Sequence, residues 1–391
     1  MRILCVTPWF PVREKDTTGK YILDSVRSLA EYGAEFHVLV CEPWRPAAFG
    51  RLHADWRTRS GSYAEVAGAL KVECIKYFSA PRNMARQLAR ASFSLRVGKR
   101  VKELVASFRP DIIHGHTEIT AELLAQTGAA RRLPTVVTLH GVNTAPALQR
   151  PAYLHRIGQA LSRTTRVVLV GEPLRAPFHH ICGSDNHFRI IPNGFTPPQE
   201  LPAPRKFTET PTRFISVSNL HEGKGIDINL RALAELRATQ RNDWRYTVVG
   251  TGRELTALTT LARDLGLSDR VEFAGACSPD AVYGHLANAD IFILPSYREA
   301  FGIAYLEAMA SGLLTIGVSG QGPEAFIIDG VNGHLVPPRN VSVLKDLLLS
   351  AIQNPERSAA LAREGQRTAL DEFTWNRHAK KLLNVFEEAL R

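Results

Sequence analysis

The segment IFILPSYREAFGIAYLEAMASG, residues 291–312, has the pattern of a buried strand, a polar loop and a short apolar helix. IFILPS is a continuous apolar run, which is typical of parallel strands buried on both faces, and Pro295 ends it. The helix is predicted to begin near Gly302, to run through LEAMA and to end at Gly312. Such a strand–loop–helix unit is the repeating element of a doubly wound α/β sheet.

Similar units repeat on both sides of this segment along the 391 residues. In the first half, strand candidates begin at Ile3, Phe36, Val72, Asp111, Thr135, Arg166 and Phe188. In the second half they begin at Arg213, Tyr246, Val271, Ile291, Leu313 and Gly333. Helical patterns such as YILDSVRSLAEYG, residues 21–33, lie between them. The sequence therefore predicts an α/β protein with two Rossmann-like, doubly wound parallel sheets.

Six prolines between Pro192 and Pro211 mark a linker by composition. We expect one domain over residues 1–200 and a second over residues 201–370. A last helix, within residues 371–391, follows the second array of strands and runs from about Trp375 to Leu390. Ligands of such sheets bind beyond the carboxyl ends of the strands, so two facing sheets would share a central cleft.

The composition excludes several classes of protein. Five cysteines are scattered and never form a C-x-x-C pair, which predicts a reducing compartment and argues against a disulfide framework or a zinc site. They are Cys5, Cys41, Cys74, Cys182 and Cys277. No apolar run approaches the roughly 18 residues that a membrane-spanning helix needs. We therefore expect a cytoplasmic protein.

The positive charge lies in the first half of the chain. Residues 1–204 hold 27 Lys and Arg against 16 Asp and Glu, whereas the remainder holds 21 against 22. Part of the excess is a basic stretch that includes Arg82, Arg86, Arg90, Arg96, Lys99 and Arg100. A solvated helix face and a surface for an anionic membrane or lipid-linked acceptor explain it equally well. Nucleic acid is the weakest option as a partner and we expect none, because no aromatic residues alternate with the charges as stacking platforms.

Two acids, Glu299 and Glu307, flank the predicted start of the helix at Gly302. Between them lies a helix N-terminus, whose unpaired N–H groups and positive dipole end attract a phosphate. Each carboxylate can accept hydrogen bonds from two hydroxyl groups. A sugar nucleotide has the matching order of sugar hydroxyls, diphosphate and ribose hydroxyls, so this spacing indicates a site for a sugar nucleotide.

A lysine is placed to neutralise that diphosphate. Lys224 lies in SNLHEGKGIDINL, residues 218–230, where a loop after the strand RFISVS leads into a helix. An ammonium group there would stabilise a leaving nucleotide as its charge develops. The segment Gly250-Thr-Gly252-Arg-Glu-Leu lacks the third glycine of the dinucleotide fingerprint, which argues against a nicotinamide dehydrogenase.

The segment Glu299-Ala-Phe-Gly-Ile-x3-Glu307-Ala-Met-Ala-x-Gly resembles the E-x7-E signature of the retaining glycosyltransferase family 4, which includes sucrose synthase and bacterial mannosyltransferases. Further similarities cover nearly the whole chain. They are Thr18-Gly19, His140-Gly141, Ile191-Pro-Asn-Gly194, Gly223-Lys224-Gly225, Val249-Gly-Thr-Gly252 and the helix at Trp375. The resemblance implies a GT-B fold, a nucleoside-diphosphate-sugar donor and no required metal or other cofactor.

The resemblance also implies roles for individual residues. It makes the first domain the acceptor side and the second the donor side, with the last helix crossing back to the first. His140, Lys224 and Glu299 would be catalytic. The donor would contact Gly19, Asn219, Lys224, Gly250, Gly275, Glu299, Ala300, Phe301, Gly302, Ile303 and Glu307. Asn219 departs from the family pattern, which has an arginine there, so the chain lacks the family's second cation.

These observations predict a hexosyltransferase that moves a sugar from a UDP-, GDP- or ADP-sugar to a hydroxyl of a glycan or lipid-linked acceptor. We expect the enzyme to retain the anomeric configuration and to serve cell-surface polysaccharide or glycolipid assembly. If the basic stretch binds lipid, the protein is peripheral at the inner face of the membrane. Two alternatives stay open, a sugar-nucleotide-binding protein with weakened catalysis and a sugar-nucleotide epimerase.

Overall fold

The computed structural model describes residues 1–14, 16, 18–44, 63–78, 86–128, 132–141, 151–176, 187–202, 205, 207–239 and 243–391. The chain divides into two compact units. Unit 1 comprises Met1–Pro192 together with Trp375–Arg391, and unit 2 comprises Asn193–Thr374. Unit 1 therefore contains two separate stretches of the chain, with unit 2 inserted between them.

Unit 1 is built on a sheet of seven parallel strands in the order β3-β2-β1-β4-β5-β6-β7. The strands are β1 (Arg2–Thr7), β2 (Glu35–Trp44), β3 (Lys71–Phe78), β4 (Ile112–His116), β5 (Thr135–Leu139), β6 (Arg166–Leu169) and β7 (Phe188–Ile190). Its helices are α1 (Lys20–Glu31), α2 (Ala64–Ala67), α3 (Arg86–Phe108), α4 (Glu118–Thr127), α5 (Pro151–Leu161) and α12 (Trp375–Leu390).

Unit 2 repeats this architecture with six parallel strands in the order β10-β9-β8-β11-β12-β13. They are β8 (Thr212–Val217), β9 (Trp244–Val249), β10 (Val271–Gly275), β11 (Ile291–Ile293), β12 (Leu314–Val318) and β13 (His334–Val336). The helices are α6 (Ile226–Arg237), α7 (Leu255–Asp264), α8 (Pro279–Ala287), α9 (Ile303–Ala310), α10 (Val341–Gln353) and α11 (Pro355–Glu372).

The central strands are buried throughout because helices cover both faces of each sheet. Every residue of β4, β5, β11 and β12 is buried. Polar edge strands and turns surround this core, as the continuous apolar runs in the sequence predict. The predicted pair of doubly wound, Rossmann-like parallel sheets is confirmed.

The last helix, α12, packs on α1 through a strongly amphipathic face. Its apolar side chains, among them Leu382 and Phe386, are buried in one core with residues of α1 and β1. Polar contacts fix its beginning, where the Ser28 hydroxyl donates to the Trp375 carbonyl at 2.9 Å. His378 hydrogen-bonds the Ser25 hydroxyl at 2.9 Å. These contacts make α12 part of the core of unit 1.

Candidate functional site

The short helix α9 follows β11 of unit 2 after the loop of residues 294–302, and a glycine sets its start. Gly302 has φ 97°, and a Cβ atom on it would lie 2.6 Å from a ring carbon of Tyr305. Only glycine tolerates that conformation and that contact. The Tyr305 ring is fully buried, and its hydroxyl donates to the Leu294 carbonyl at 2.5 Å. The N-terminus of α9 is therefore held firmly at the carboxyl edge of the sheet.

Lys224 and Glu299 form an ion pair in front of this helix. Their Nζ and Oε2 atoms are 2.7 Å apart, and the two side chains are only 15% and 13% exposed. The backbone of Glu299 is fixed on both sides, since its N–H donates to Gln321 Oε1 at 3.0 Å and its carbonyl accepts from the Gly322 N–H at 2.9 Å. Each charge holds the other in place in surroundings where an unpaired charge is costly.

The loop that carries Lys224 is joined to the loop before α9. The Gly223 carbonyl accepts hydrogen bonds from the Tyr297 N–H at 2.9 Å and from the Ser296 hydroxyl at 3.1 Å. Gly225 has φ 73°, and a Cβ there would overlap the Pro295 carbonyl oxygen. The lysine thus belongs to the same rigid edge as Glu299, although 75 residues separate them in sequence.

Glu307 lies one turn inside α9 and is half-buried. No hydrogen bond or ion pair to its carboxylate exists among the residues that the structure describes. Burial raises the pKa of this carboxyl to about 7. Burial raises the pKa of Tyr283, and the nearby charge of Glu307 adds to that shift. The Tyr283 hydroxyl donates to the Thr196 carbonyl at 2.5 Å. Glu307 can therefore offer an unpaired carboxylate to hydroxyl groups of a ligand.

Two of the predicted donor-binding glycines meet at the carboxyl ends of β9 and β10. The Gly250 N–H donates to the Gly275 carbonyl at 2.7 Å. Gly250 has φ 131°, and a Cβ on it would overlap the Ser218 carbonyl oxygen, whereas nothing lies near the Cβ position of Gly275. The side chain of Asn219, at the end of β8, is exposed.

The remaining predicted donor contacts surround Gly302. Ala300 and Ile303 are half-buried, whereas the Phe301 ring is only 2% exposed. That ring packs edge-on against Phe326 with ring centroids 5.3 Å apart. Because its side chain belongs to the core, Phe301 can offer a ligand only backbone groups.

His140 and Gly19 lie in unit 1, His140 directly after β5 and Gly19 at the start of α1. The Tyr21 ring packs against the His140 ring, with centroids 4.4 Å apart. Gly19 begins α1 with φ 79°, and a Cβ there would lie 2.8 Å from the Trp9 carbonyl carbon. The close packing against Trp9 is enough to explain a glycine at position 19, with or without a ligand contact.

Two buried histidines of β4 lie near His140. His116 Nδ1 and His140 Nε2 are 2.9 Å apart, and their rings stack with an angle of 18°. The His114 ring lies 4.2 Å from that of His116 and hydrogen-bonds the Thr138 hydroxyl at 2.8 Å. Burial lowers the pKa of His114 to about 3 and lowers that of His116 well below its usual value. A neutral His116 therefore shares one proton with His140, which couples the tautomers of the two rings.

The predicted basic patch is described only in part. Arg82 and the side chains of Arg86 and Arg90 lie outside the described residues. Arg96 and Lys99 are exposed on α3, whereas Arg100 bridges Glu73 and Glu103 and so contributes little unpaired charge. Leu88 and Leu95 on the same helix are 63% and 72% exposed. No helix within the described ranges is long and apolar enough to cross a bilayer.

Sequence reasoning missed four residues that the structure adds to these sites. Gln321 and Gly322 support Glu299, and His116 and Glu118 lie beside His140 and Tyr21. The repeated histidine in HGH at the end of β4 was a usable signal. No sequence pattern marks Gln321.

Solved structures with the same architecture cover almost the whole chain. Anabaena HepE in complex with UDP and glucose matches with a TM-score of 0.74 at 19% identity, over 99% of this chain and 100% of that one. Sucrose-phosphate synthase from Thermosynechococcus elongatus matches with a TM-score of 0.74 at 18% identity, over 99% of each chain. The fold, two Rossmann-like domains that each have a sheet of parallel strands, is that of the GT-B glycosyltransferases.

Family models and relatives give the narrower assignment. The model for "Glycosyltransferase Family 4" matches residues 18–197, and that for "Glycosyl transferases group 1" matches residues 199–368. A GDP-mannose-dependent alpha-(1-6)-phosphatidylinositol monomannoside mannosyltransferase from Mycolicibacterium smegmatis is 29% identical, over 67% of this chain and 72% of its own length. An N-acetyl-alpha-D-glucosaminyl L-malate synthase from Bacillus anthracis is 23% identical, over 76% of this chain and 80% of its own length. The chain belongs to the family 4-like GT-B glycosyltransferases.

Proposed function

We propose that this glycosyltransferase moves a hexose from a UDP-, GDP- or ADP-sugar to a hydroxyl of a glycan or lipid-linked acceptor, retaining the anomeric configuration. The observation that carries the proposal is the Lys224–Glu299 ion pair in front of α9. One turn inside that helix lies the carboxylate of Glu307, which has no partner among the described residues. This arrangement offers positive charge to a diphosphate and hydrogen-bond acceptors to the hydroxyl groups on either side of it.

Each residue has a defined part in the reaction. The bond between the anomeric carbon and the diphosphate breaks first, and Lys224 and the N–H groups of α9 stabilise the departing charge. The acceptor oxygen then bonds to the anomeric carbon on the same face, while a donor phosphate oxygen takes its proton. Glu299 and His140 orient the sugar, and Glu307 binds the ribose hydroxyls. The positive charge comes from Lys224, so the reaction needs no metal ion.

One of these relatives and the exposed residues of α3 support an acceptor at a lipid surface. The Mycolicibacterium smegmatis enzyme is named for a phosphatidylinositol mannoside acceptor. In this chain Leu88 and Leu95 are seven residues apart on α3 and exposed, with Arg96 and Lys99 beside them. Apolar side chains flanked by cations suit the headgroup region of an anionic membrane. We therefore propose a cytoplasmic enzyme that binds the inner membrane face and serves polysaccharide or glycolipid assembly.

Removing one exposed leucine should weaken this membrane contact. We expect the Leu95→Asn variant to lower the bound fraction in co-sedimentation with vesicles of phosphatidylcholine and phosphatidylglycerol about fivefold, because one buried leucine contributes about 1–2 kcal/mol. Val343→Asn, which changes an exposed apolar residue of α10 in unit 2, is the matched control. Equal binding by the two variants would contradict the proposal for α3.

Calorimetry with UDP, GDP and ADP tests the donor side directly. One of the three should bind the full chain, and the corresponding sugar nucleotide should be consumed only when an acceptor is added. Proton NMR of the product then reports the anomeric configuration, and EDTA should leave the rate unchanged. Conversion of the sugar nucleotide without any acceptor would instead identify an epimerase.

The exposed Asn219 keeps a second candidate open, a sugar-nucleotide-binding protein with weakened catalysis. If a missing cation limits the rate, Asn219→Arg should raise kcat about tenfold, because a guanidinium there adds charge to the stabilisation of the leaving diphosphate. Asn219→Gln is the control for side-chain size. Donor binding without turnover in the wild type, together with turnover in the arginine variant, would favour the second candidate.

A further inference from the structure

Three consecutive buried residues join β4 to α4 in unit 1. His116, Thr117 and Glu118 are each at most 2% exposed. Within the described part of the chain, His116 Nε2, Thr117 Oγ1 and Glu118 Oε2 have no hydrogen-bond partner. Buried polar atoms of native proteins are nearly always paired, so three unpaired atoms in succession call for an explanation.

The backbone at this junction is strained. Thr117 has φ 78° and ψ 158°, a conformation that essentially only glycine adopts without strain. Its N–H donates to the Thr138 carbonyl at 2.9 Å, which ties the junction to β5. Strain of this kind is retained where neighbouring structure enforces it, and it is concentrated at functional sites.

The neighbours of Glu118 connect this junction with His140. Glu118 Oε1 is 3.4 Å from the Tyr153 hydroxyl, a long and weak contact. Burial raises the pKa of Tyr21, and the charge of Glu118 adds to that shift. The Tyr21 ring packs against His140. These residues lie just after β4 and β5 or in the first turns of α1 and α5, at the edge at which open α/β sheets bind ligands.

A purely structural role does not account for this arrangement. Acids in the first turn of a helix interact favourably with its dipole, and the ones that begin α8 and α11, Asp280 and Glu356, are exposed. Glu118 is buried instead. The dipole gives no reason to bury its second oxygen, or the neighbouring Thr117 hydroxyl, with no partner in the described ranges.

We propose that Thr117 and Glu118 bind hydroxyl groups of a neutral polyol, the acceptor of the transfer reaction. A ligand hydroxyl can donate to Glu118 Oε2 and accept from the Thr117 hydroxyl, which satisfies both atoms. An anionic group is disfavoured, because the carboxylate repels it. This inference rests on the proposed transferase function and adds to it a location and a chemical class for the acceptor.

Saturation-transfer NMR on the full chain, with methyl α-D-mannopyranoside and myo-inositol as probes, tests the site. We expect at least one probe to bind the wild type, and Glu118→Gln to weaken that binding at least tenfold. Glu122→Gln, one turn later on α4 and paired with Arg156 at 2.9 Å, should bind as the wild type does. Absence of binding by both probes, or equal binding by the Glu118 variant, overturns the proposal.

A second variant separates binding from folding. Thr117→Gly relieves the backbone strain and removes the hydroxyl, so it should raise the melting temperature by a few degrees while weakening the probe. A lower melting temperature with unchanged probe binding would show that the junction is structural. Nucleotide binding, measured by calorimetry on the same variants, reports the donor site separately. If nucleotides bind and polyols do not, only the proposed acceptor site is refuted. If no nucleotide binds, the proposed function is refuted.

Discussion

Replacing Lys224 by methionine is expected to lower kcat/KM about 100- to 1000-fold, the usual cost of losing one group that stabilises charge developing in the transition state. The substitution also leaves the Glu299 carboxylate unpaired in partly buried surroundings, which should cost about 3 kcal/mol of folding free energy. Steady-state kinetics with the sugar nucleotide identified by calorimetry, together with denaturant unfolding, measure the two effects.

A double variant distinguishes catalysis from stability. Lys224→Met with Glu299→Gln removes both charges, so it should regain most of the lost stability while activity stays low. Lys345→Met, a change of another lysine of unit 2, controls for the loss of a cation. A Lys224→Met enzyme within threefold of the wild-type kcat/KM would contradict the assignment of Lys224 to the leaving diphosphate.

Replacing Glu307 by alanine is expected to weaken nucleoside diphosphate binding about 30-fold, or about 2 kcal/mol, because two ribose hydroxyls lose a charged acceptor. The wild type should discriminate by a similar factor against the 2′,3′-dideoxy analogue of the same nucleotide, and the variant should not discriminate. Calorimetry on the wild type and the variant, each with the nucleotide and with its dideoxy analogue, measures the coupling between Glu307 and the ribose hydroxyls. Glu235→Ala, an exposed acid of α6, is the control. Persistent discrimination by the Glu307 variant would refute the ribose contact.

The pKa of Glu307 adds a pH dependence to this binding. With a pKa of about 7 in the folded protein, the ionised acceptor is about tenfold less populated at pH 6 than at pH 8. Wild-type affinity should therefore rise as pH increases through 7. The nucleotide also titrates in this range, so the relevant measurement is the ratio of the nucleotide affinity of the wild type to that of the alanine variant. A ratio independent of pH would argue against an ionised Glu307 in the complex.

The same pKa affects folding without any ligand. Because the folded-state pKa lies above the ordinary value of 4.5, ionisation of Glu307 opposes folding as pH rises from 4.5 through 7. Glu307→Gln should therefore gain up to about 3 kcal/mol over the wild type at pH 8 and little at pH 4.5. Denaturant unfolding at the two pH values checks the sign, with Glu235→Gln as the variant expected to show no such gain.

The strands and the apolar helices could be predicted from sequence because their signals are local. Each buried strand is a short apolar run, and Gly302 and Gly312 mark the two ends of α9. The pairing of Lys224 with Glu299 could not be predicted in this way. It depends on β8 and β11 being neighbours in the sheet, and that order is set by packing over the whole unit.

The unit 1 site illustrates the same limit. His140 was predicted from the resemblance to the family, whereas Glu118 looks like an ordinary first-turn acid until its burial is known. The strain at Thr117 has no signature in sequence either, since threonine occurs commonly before helices. Burial and dihedral angles, which are properties of the folded chain, are what distinguish this junction.

The insertion of unit 2 between Pro192 and Trp375 has a consequence for biosynthesis. A ribosome releases α12 only after it has made all of unit 2. The apolar surface of α1 and β1 that α12 covers therefore stays exposed while more than 180 residues of unit 2 are synthesised. Unit 2, which is one unbroken stretch, can complete its core first. The nascent amino-terminal half is therefore the part most in need of a chaperone, and shortening the chain before Trp375 would make that need permanent.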